Sequence, residues 1–273
     1  MAQTNKNYNK LTNLELSIQI SLSGLSFCIL KSDTKTIITL KHINFEKKLN
    51  PFEVLDKLIH LFNTESVLQV AFSNVNVIHT NELSTLVPKP LFKENCLADY
   101  LKFNSKILKS DFLAFDSIEL NDSVNVYVPY ININNFIYEK FGSFTYKHFS
   151  TILIEQILFI EKNADDTKVY VHVNSNHFEI IVVEKGKLII YNTFEYTTKE
   201  DFIYYILFTA EQLQLNPETL SLILIGNVNK NDDLYNITYK YIRHVSFGKR
   251  IDNYNYQEQP ETNYSDFTLI HSF

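Results

Sequence analysis

One half of this chain repeats the pattern of the other. Leu16, Ile18, Ile20 and Leu22 alternate with Ser17, Gln19 and Ser21, the period of two that marks a strand with one buried face. Ser23-Gly24 supplies a tight turn, and Leu25, Phe27 and Ile29 resume the alternation, so the spacing predicts a β-hairpin. A third strand is expected over 36–43. Asn50 and Pro51 then open a helix, a cap residue followed by proline at the first helical position. Its apolar face carries Phe52, Leu55, Leu58, Ile59 and Phe62, and 67–72 reads as the next strand. From Val169 the order returns. Val169, Val171 and Val173 form a strand, Asn174-Ser175-Asn176 a turn, and Phe178, Ile180 and Val182 the return strand. Lys185-Gly186 leads into a further strand over 188–196, a helix over 199–213 with Thr198 as cap, and a short buried strand over 220–225. A chain that writes hairpin, third strand, helix and strand twice is constrained to two alike α/β lobes with mixed sheets. Its 273 residues suffice for two lobes of ordinary size.

Between the two occurrences, 86–90 reads as a break, 92–103 as helical, and 112–120 with 124–128 as a second hairpin around Asn121-Asp122. Helices are expected over 134–141 and 149–161. The latter is so apolar (Ile152, Leu153, Ile154, Ile157, Leu158, Phe159) that it should be buried on most sides. A last helix over 231–241 and a strand over 244–247 follow. The resulting division is a polar segment 1–13, a first lobe 14–163 with an inserted subdomain near 76–130, a second lobe 167–248, and a tail 249–273. The tail is rich in Asn, Tyr and Gln and is expected to be partly mobile.

Composition removes several function classes. The formal charge is 25 − 31 = −6, which leaves no surplus cations for phosphate neutralisation, so no nucleic acid is expected as partner. An anionic membrane surface is disfavoured for the same reason. Residues 1–13 show no secretory pattern, and no apolar run approaches the ~20 residues of a span. The expectation is a cytoplasmic protein without direct membrane insertion. Two cysteines exclude a cysteine-only zinc site in one chain, and Cys28 and Cys96 read as buried free thiols rather than a disulfide. The five glycines, Gly24, Gly142, Gly186, Gly226 and Gly248, are scattered singly, unlike the clusters of a phosphate-cradling loop. Neither a Gly-x-Ser-x-Gly elbow nor a His-Glu-x-x-His pair occurs.

The doubled β-β-β-α-β-α-β-α order resembles the plan of the actin-like ATPase superfamily, with its ribonuclease H-like lobes. Through Leu16 to Phe27, Asn125 to Pro129, and Val169 to Asn174 followed by Phe178, the chain also resembles an uncharacterised bacterial family, DUF 3822. The superfamily resemblance implies where nucleotide chemistry would lie. Active members carry an Asp followed by Gly in the first hairpin of each lobe, the carboxylate serving Mg²⁺ or water and the turn serving the phosphates. The matching stretch here, Gln19 to Gly24, has no carboxylate and one glycine. In the second lobe, His172 to Asn176 has neither. The adenosine-side strand of such proteins ends in paired glycines, and here Gly226-Asn227 follows Ile225. Ser21, Ser23, Gly24, Asn174, Ser175, Asn176 and Gly226 are therefore vestigial phosphate-loop positions. They offer hydrogen bonds but no charge to hold a metal.

The expectation that follows is a degenerate ATPase with no catalytic residue, no cofactor and no metal, acting as a cytoplasmic scaffold or adaptor for an unidentified protein partner. Two alternatives stand beside it. One is a nucleotide-binding protein or weak kinase using those same turn donors. The other is a cytoplasmic component of a membrane-associated assembly, by analogy with pilus and secretion proteins of this plan. Three further features read more plainly. His172 and His177 with Glu179 are a thin metal set and fit ordinary strand histidines better. Asp165-Asp166 and Asp232-Asp233 are expected as solvated turn charges. Tyr235 to Tyr241, Tyr254, Tyr256 and Tyr264 are the aromatics least committed to a core, and so the candidates for a partner surface.

Overall fold

The structure, a computed structural model, describes residues 12–273, so most of the polar segment 1–13 lies outside the described residues. Strands β1 (Leu14–Ile20), β2 (Gly24–Lys31) and β3 (Thr36–Asn44) form an antiparallel meander. Helix α1 (Pro51–Thr64) returns the chain to β4 (Asn74–His79), which lies parallel to β1 with Val77 opposite Ile18. A three-stranded sheet is inserted next, with β5 (Ser84–Pro88), α2 (Leu97–Leu101), β6 (Ala114–Ile118) and β7 (Ser123–Tyr127) in strand order β5-β7-β6. Helix α3 (Ile131–Phe141), strand β8 (Thr145–His148) and helix α4 (Phe149–Glu161) complete the first half. The second half writes β9 (Lys168–Val173), β10 (His177–Glu184), β11 (Lys187–Glu195), α5 (Lys199–Gln212), β12 (Ser221–Gly226), α6 (Asp233–Tyr241) and β13 (His244–Phe247). It ends in β14 (Asn255–Tyr256) and α7 (Phe267–Ile270).

The two main sheets have equivalent orders, β3-β2-β1-β4-β8 and β11-β10-β9-β12-β13, and the first is extended at β3 by β14. The duplication read from the alternating hydrophobics is therefore present in the topology. Helices α4 and α7 follow the last core strand of each half and pack on one another.

Local chemistry accounts for the matching helix starts. Asn50 Oδ1 accepts from Phe52 N–H and Glu53 N–H at 2.9 and 3.1 Å, while the Glu53 carboxylate accepts from Asn50 N–H at 2.8 Å. Thr198 and Asp201 form the same reciprocal box at α5. Each box satisfies amides that the helix itself leaves unbonded.

Apolar side chains gather in four clusters. One lies between the first sheet and α1 with α3, one between the second sheet and α5, and a small one in the inserted sheet. The fourth is shared. It joins Cys28 and Ile37 of the first half, Ile152 to Leu158 of α4, Ile181 and Ile225 of the second half, and Phe267, Leu269 and Ile270 of α7.

Several expectations need correction. The strand expected over 67–72 is instead a short 3-10 turn over Ser66–Leu68, and β4 begins at Asn74. Val67 and Val70 are exposed while Leu68 is buried in the core of the first sheet, so the apolar run meets the core through one residue of a turn and not as a strand. The expected break at 86–90 is mostly β5, an edge strand that tolerates Pro88 as its last residue. The helix expected over 92–103 shrinks to the five residues of α2. Strand β8 was not anticipated, being four residues long with a weak alternation. Within the tail, α7 is fully buried, and Arg250 is buried with its guanidinium bonded to the Thr262 and Ser265 carbonyls at 2.9 and 2.6 Å. Cys28 is buried and Cys96 half-buried, both as free thiols. No helix among the described residues is long and apolar enough to cross a membrane.

Candidate functional site

The β1–β2 and β9–β10 turns line one cavity of about 260 Å³ at the meeting of the two halves. All seven sequence-derived positions border it: Ser21, Ser23 and Gly24 from one turn, Asn174, Ser175 and Asn176 from the other, and Gly226 at the end of β12. Equivalent hairpins place them there, because in both sheets the hairpin's first strand lies beside the parallel strand that follows the crossover helix.

The first turn spends its donors on itself. Ser21 N–H donates to the Gly24 carbonyl at 3.0 Å. The Ser21 hydroxyl donates to the same oxygen at 3.0 Å, and Ser23 N–H donates to Ser21 Oγ at 3.2 Å. Gly24 is needed for packing: a Cβ there would stand 2.8 Å from the Ile43 carbonyl oxygen on β3.

In the second turn Asn174 is bonded internally, while Ser175 and Asn176 are exposed. Asn174 N–H donates to the His177 carbonyl at 2.9 Å, and its side-chain amide donates to Glu179 Oε2 at 3.2 Å. The Tyr196 hydroxyl donates to the Asn174 carbonyl at 2.6 Å. Glu179, 2% exposed, meets His172 Nδ1 at 2.9 Å and His177 Nε2 at 3.4 Å. The trio noted in the sequence is thus brought together as a carboxylate between two histidines. Among the described residues, no group of three or more His, Cys, Asp or Glu side chains is arranged to hold a metal.

The third wall comes from a segment that sequence reasoning did not assign to the site. Gly226 N–H donates to the Tyr264 carbonyl at 2.9 Å. Gly226 has φ +85°, and a Cβ there would lie 2.4 Å from the Val173 carbonyl oxygen, so glycine is required by both conformation and approach. Thr268 donates to Gln19 Oε1 at 2.8 Å, and Ser17 and Ser272 share a hydroxyl contact at 2.6 Å. Asp266, its side chain 5% exposed, pairs with His42 Nε2 at 2.6 Å. Burial works to raise the Asp266 carboxyl, but the His42 hydrogen bond and charge outweigh it and hold it below its ordinary range. The same hydrogen bond raises His42 against partial burial. The signal for this wall was the apolar triplet Phe267, Leu269 and Ile270 inside a polar tail.

A column of rings fixes the segment from outside. Tyr239, Tyr235, Phe247 and Tyr264 stack in series with centroids 5.8, 5.2 and 4.6 Å apart. Tyr235 and Tyr264, read as candidates for a partner surface, are therefore half-buried in this column, whereas Tyr239 and Tyr241 remain exposed.

The arrangement offers neutral hydroxyls and amides to the cavity, with Asp266 and Glu179 each tied to histidine. Thr80 Oγ1 is buried on the cavity wall without a hydrogen-bond partner among the described residues.

A family model described as a protein of unknown function (DUF3822) matches residues 3–245. The fold is similar to that of a protein from Bacteroides thetaiotaomicron with actin-like ATPase fold and unknown function. The two superpose with a TM-score of 0.78 at 24% identity, over 89% of this chain and 93% of that one. A chain of the PilM-PilN type IV pilus biogenesis complex is similar with a TM-score of 0.60 at 11% identity, over 94% of this chain and 96% of that one. No curated protein matches the sequence. These likenesses establish an actin-like ATPase fold.

Proposed function

This chain belongs to the DUF3822 family of proteins of unknown function, and we propose that it is a degenerate, non-catalytic actin-like protein acting as a cytoplasmic scaffold or adaptor for a protein partner. One observation carries the reading: the C-terminal segment stands as a wall of the inter-lobe cavity and takes the Gly226 N–H through the Tyr264 carbonyl. Phosphoryl transfer rests on positioned metal charge and free backbone donors. Here the first turn bonds the Ser21 and Ser23 donors within itself, and the two nearby carboxylates, Asp266 and Glu179, are each engaged by histidine partners. The remaining volume of about 260 Å³ falls below the ~300–1,000 Å³ of ordinary small-molecule sites.

Nucleotide binding is the second reading. It is favoured by the convergence of both turns on one cavity and by the unpartnered Thr80 hydroxyl. The pilus-complex likeness adds a third, a component of a membrane-associated assembly, on fold alone. Thermal denaturation with ATP, ADP or GTP, each with and without Mg²⁺, separates the first two. A ligand at 100 times its Kd stabilises a fold by about 2.7 kcal/mol. The degenerate reading expects no shift at millimolar nucleotide, and a Mg²⁺-dependent rise in Tm overturns it.

A further inference from the structure

Away from the cavity, two sheet edges face each other across a groove of about 930 Å³. One edge is β5 of the inserted sheet and the other is β11, each paired on one side only. The groove closes at one end, where Leu188 N–H of β11 donates to Asn121 Oδ1 beside β7 at 3.2 Å. It opens at the other, where Glu82 and Glu195 stand exposed.

The duplication shows what such an edge takes. β11 is the counterpart of β3, and β3 is covered by β14, with Asn255 opposite Thr36 and Tyr256 opposite Ile37. No strand covers β11 among the described residues. Thr193 N–H of this edge reaches the neighbouring Asn192 Oδ1 at 3.0 Å instead. An unpaired edge presents main-chain donors and acceptors to any extended chain that fits beside it.

The groove floor carries a second, independent sign. Asn125 of β7 is fully buried and lines the groove. Its amide donates to Ser150 Oγ and Thr151 Oγ1, both at 2.9 Å. The Thr151 hydroxyl in turn donates to Asp116 at 2.7 Å, so Thr151 can only accept from Asn125, and this fixes the orientation of the Asn125 amide. Asn125 Oδ1 is left without a donor, as is the Ser105 hydroxyl on the same wall. A buried acceptor without a donor is unfavourable, and it leaves this wall incompletely satisfied.

We infer that the groove between β5 and β11 binds an extended peptide segment of a partner protein by strand addition to β11. The segment carries a Lys or Arg at the open end, against Glu195; Glu82 beside it already meets Lys48 at 3.7 Å. This site is separate from the inter-lobe cavity, and its test is independent of nucleotide binding.

A phage-displayed library of random heptapeptides, panned on the full chain, supplies the probe. Enriched peptides are expected to alternate in polarity and to carry a basic residue at one end. Affinity should fall at least tenfold on Thr193→Pro, which blocks the edge at a position where proline is tolerated, and about threefold or more on Glu195→Lys. Methylating alternate backbone nitrogens of the selected peptide tests pairing without altering the protein, and should also lower affinity at least tenfold. Failure to enrich any peptide, or binding that survives N-methylation unchanged, overturns the proposal.

Discussion

At the scale of single residues, the contact between His42 and Asp266 decides how firmly the C-terminal segment is held at the cavity. Asp266 adopts φ +55°, a conformation that asparagine and aspartate tolerate better than most residues, and its carboxylate reaches across to the β3 histidine. Raised His42 stabilises the fold fully below its unfolded value of about 6.5, and that contribution is lost as pH rises through the higher folded value. Depressed Asp266 contributes above about 3.9 and loses it as pH falls through its lower folded value. The pair therefore works best between about pH 4 and 6.5. Buried His79 and His148 pull the opposite way: desolvation lowers them to about 4 and about 3, so acid destabilises their neutral folded forms. A difference measurement isolates the pair. With His42 half exposed, Asp266→Asn should cost about 1 kcal/mol or less at pH 6. The gap from the parent protein should narrow as pH rises to 8.5, as read by urea denaturation across that range. A gap that widens with pH contradicts the assignment.

Elements were legible where the sequence carried both a period and a cap. Asn50-Pro51 and Thr198 announce α1 and α5, and the structure supplies the reciprocal bonds to Glu53 and Asp201 that those residues imply. Asn50→Ala should lower stability by about 1 kcal/mol, measured by chemical denaturation, with hydrogen exchange quickening first in residues 52–54. Strands flanked by turn residues were equally clear, as at Ser23-Gly24. Legibility failed where tertiary context outweighs local pattern. The apolar stretch at 67–72 sits in a turn, because β4 takes its place beside β1 through Val75 and Val77. The four-residue β8 is too short to show a period, and is defined by its pairing with β4. The turn positions bordering the cavity came from the resemblance to the actin-like superfamily, laid onto two hairpins that recur in sequence. Asp266 and Thr268 were not, because the apolar triplet around them marks a buried segment without saying what it packs on; the distant partners His42 and Gln19 give them their place.

Across the whole molecule, the shared cluster makes the two halves interdependent. Helices α4 and α7 occupy the centre, and residues from both sheets close around them. Leu269 of α7 is 2% exposed within this cluster, while Leu101 of α2, 0% exposed, packs only in the core of the inserted sheet. Truncating either leaves a cavity worth about 2–5 kcal/mol, yet the consequences should differ in reach. Leu269→Ala removes packing from both halves at once, so hydrogen exchange should rise together in β2, α4 and β10, and the melt should stay a single transition at lower temperature. Leu101→Ala loosens one local cluster, so exchange should rise in α2, β5 and β7 while the two main sheets keep their protection. Exchange followed by mass spectrometry on both variants makes the comparison. If Leu269→Ala leaves β2 or β10 as protected as in the parent, the halves are joined by their covalent link more than by the C-terminal helix. The segment's role as a cavity wall would then be separable from the stability of the lobes.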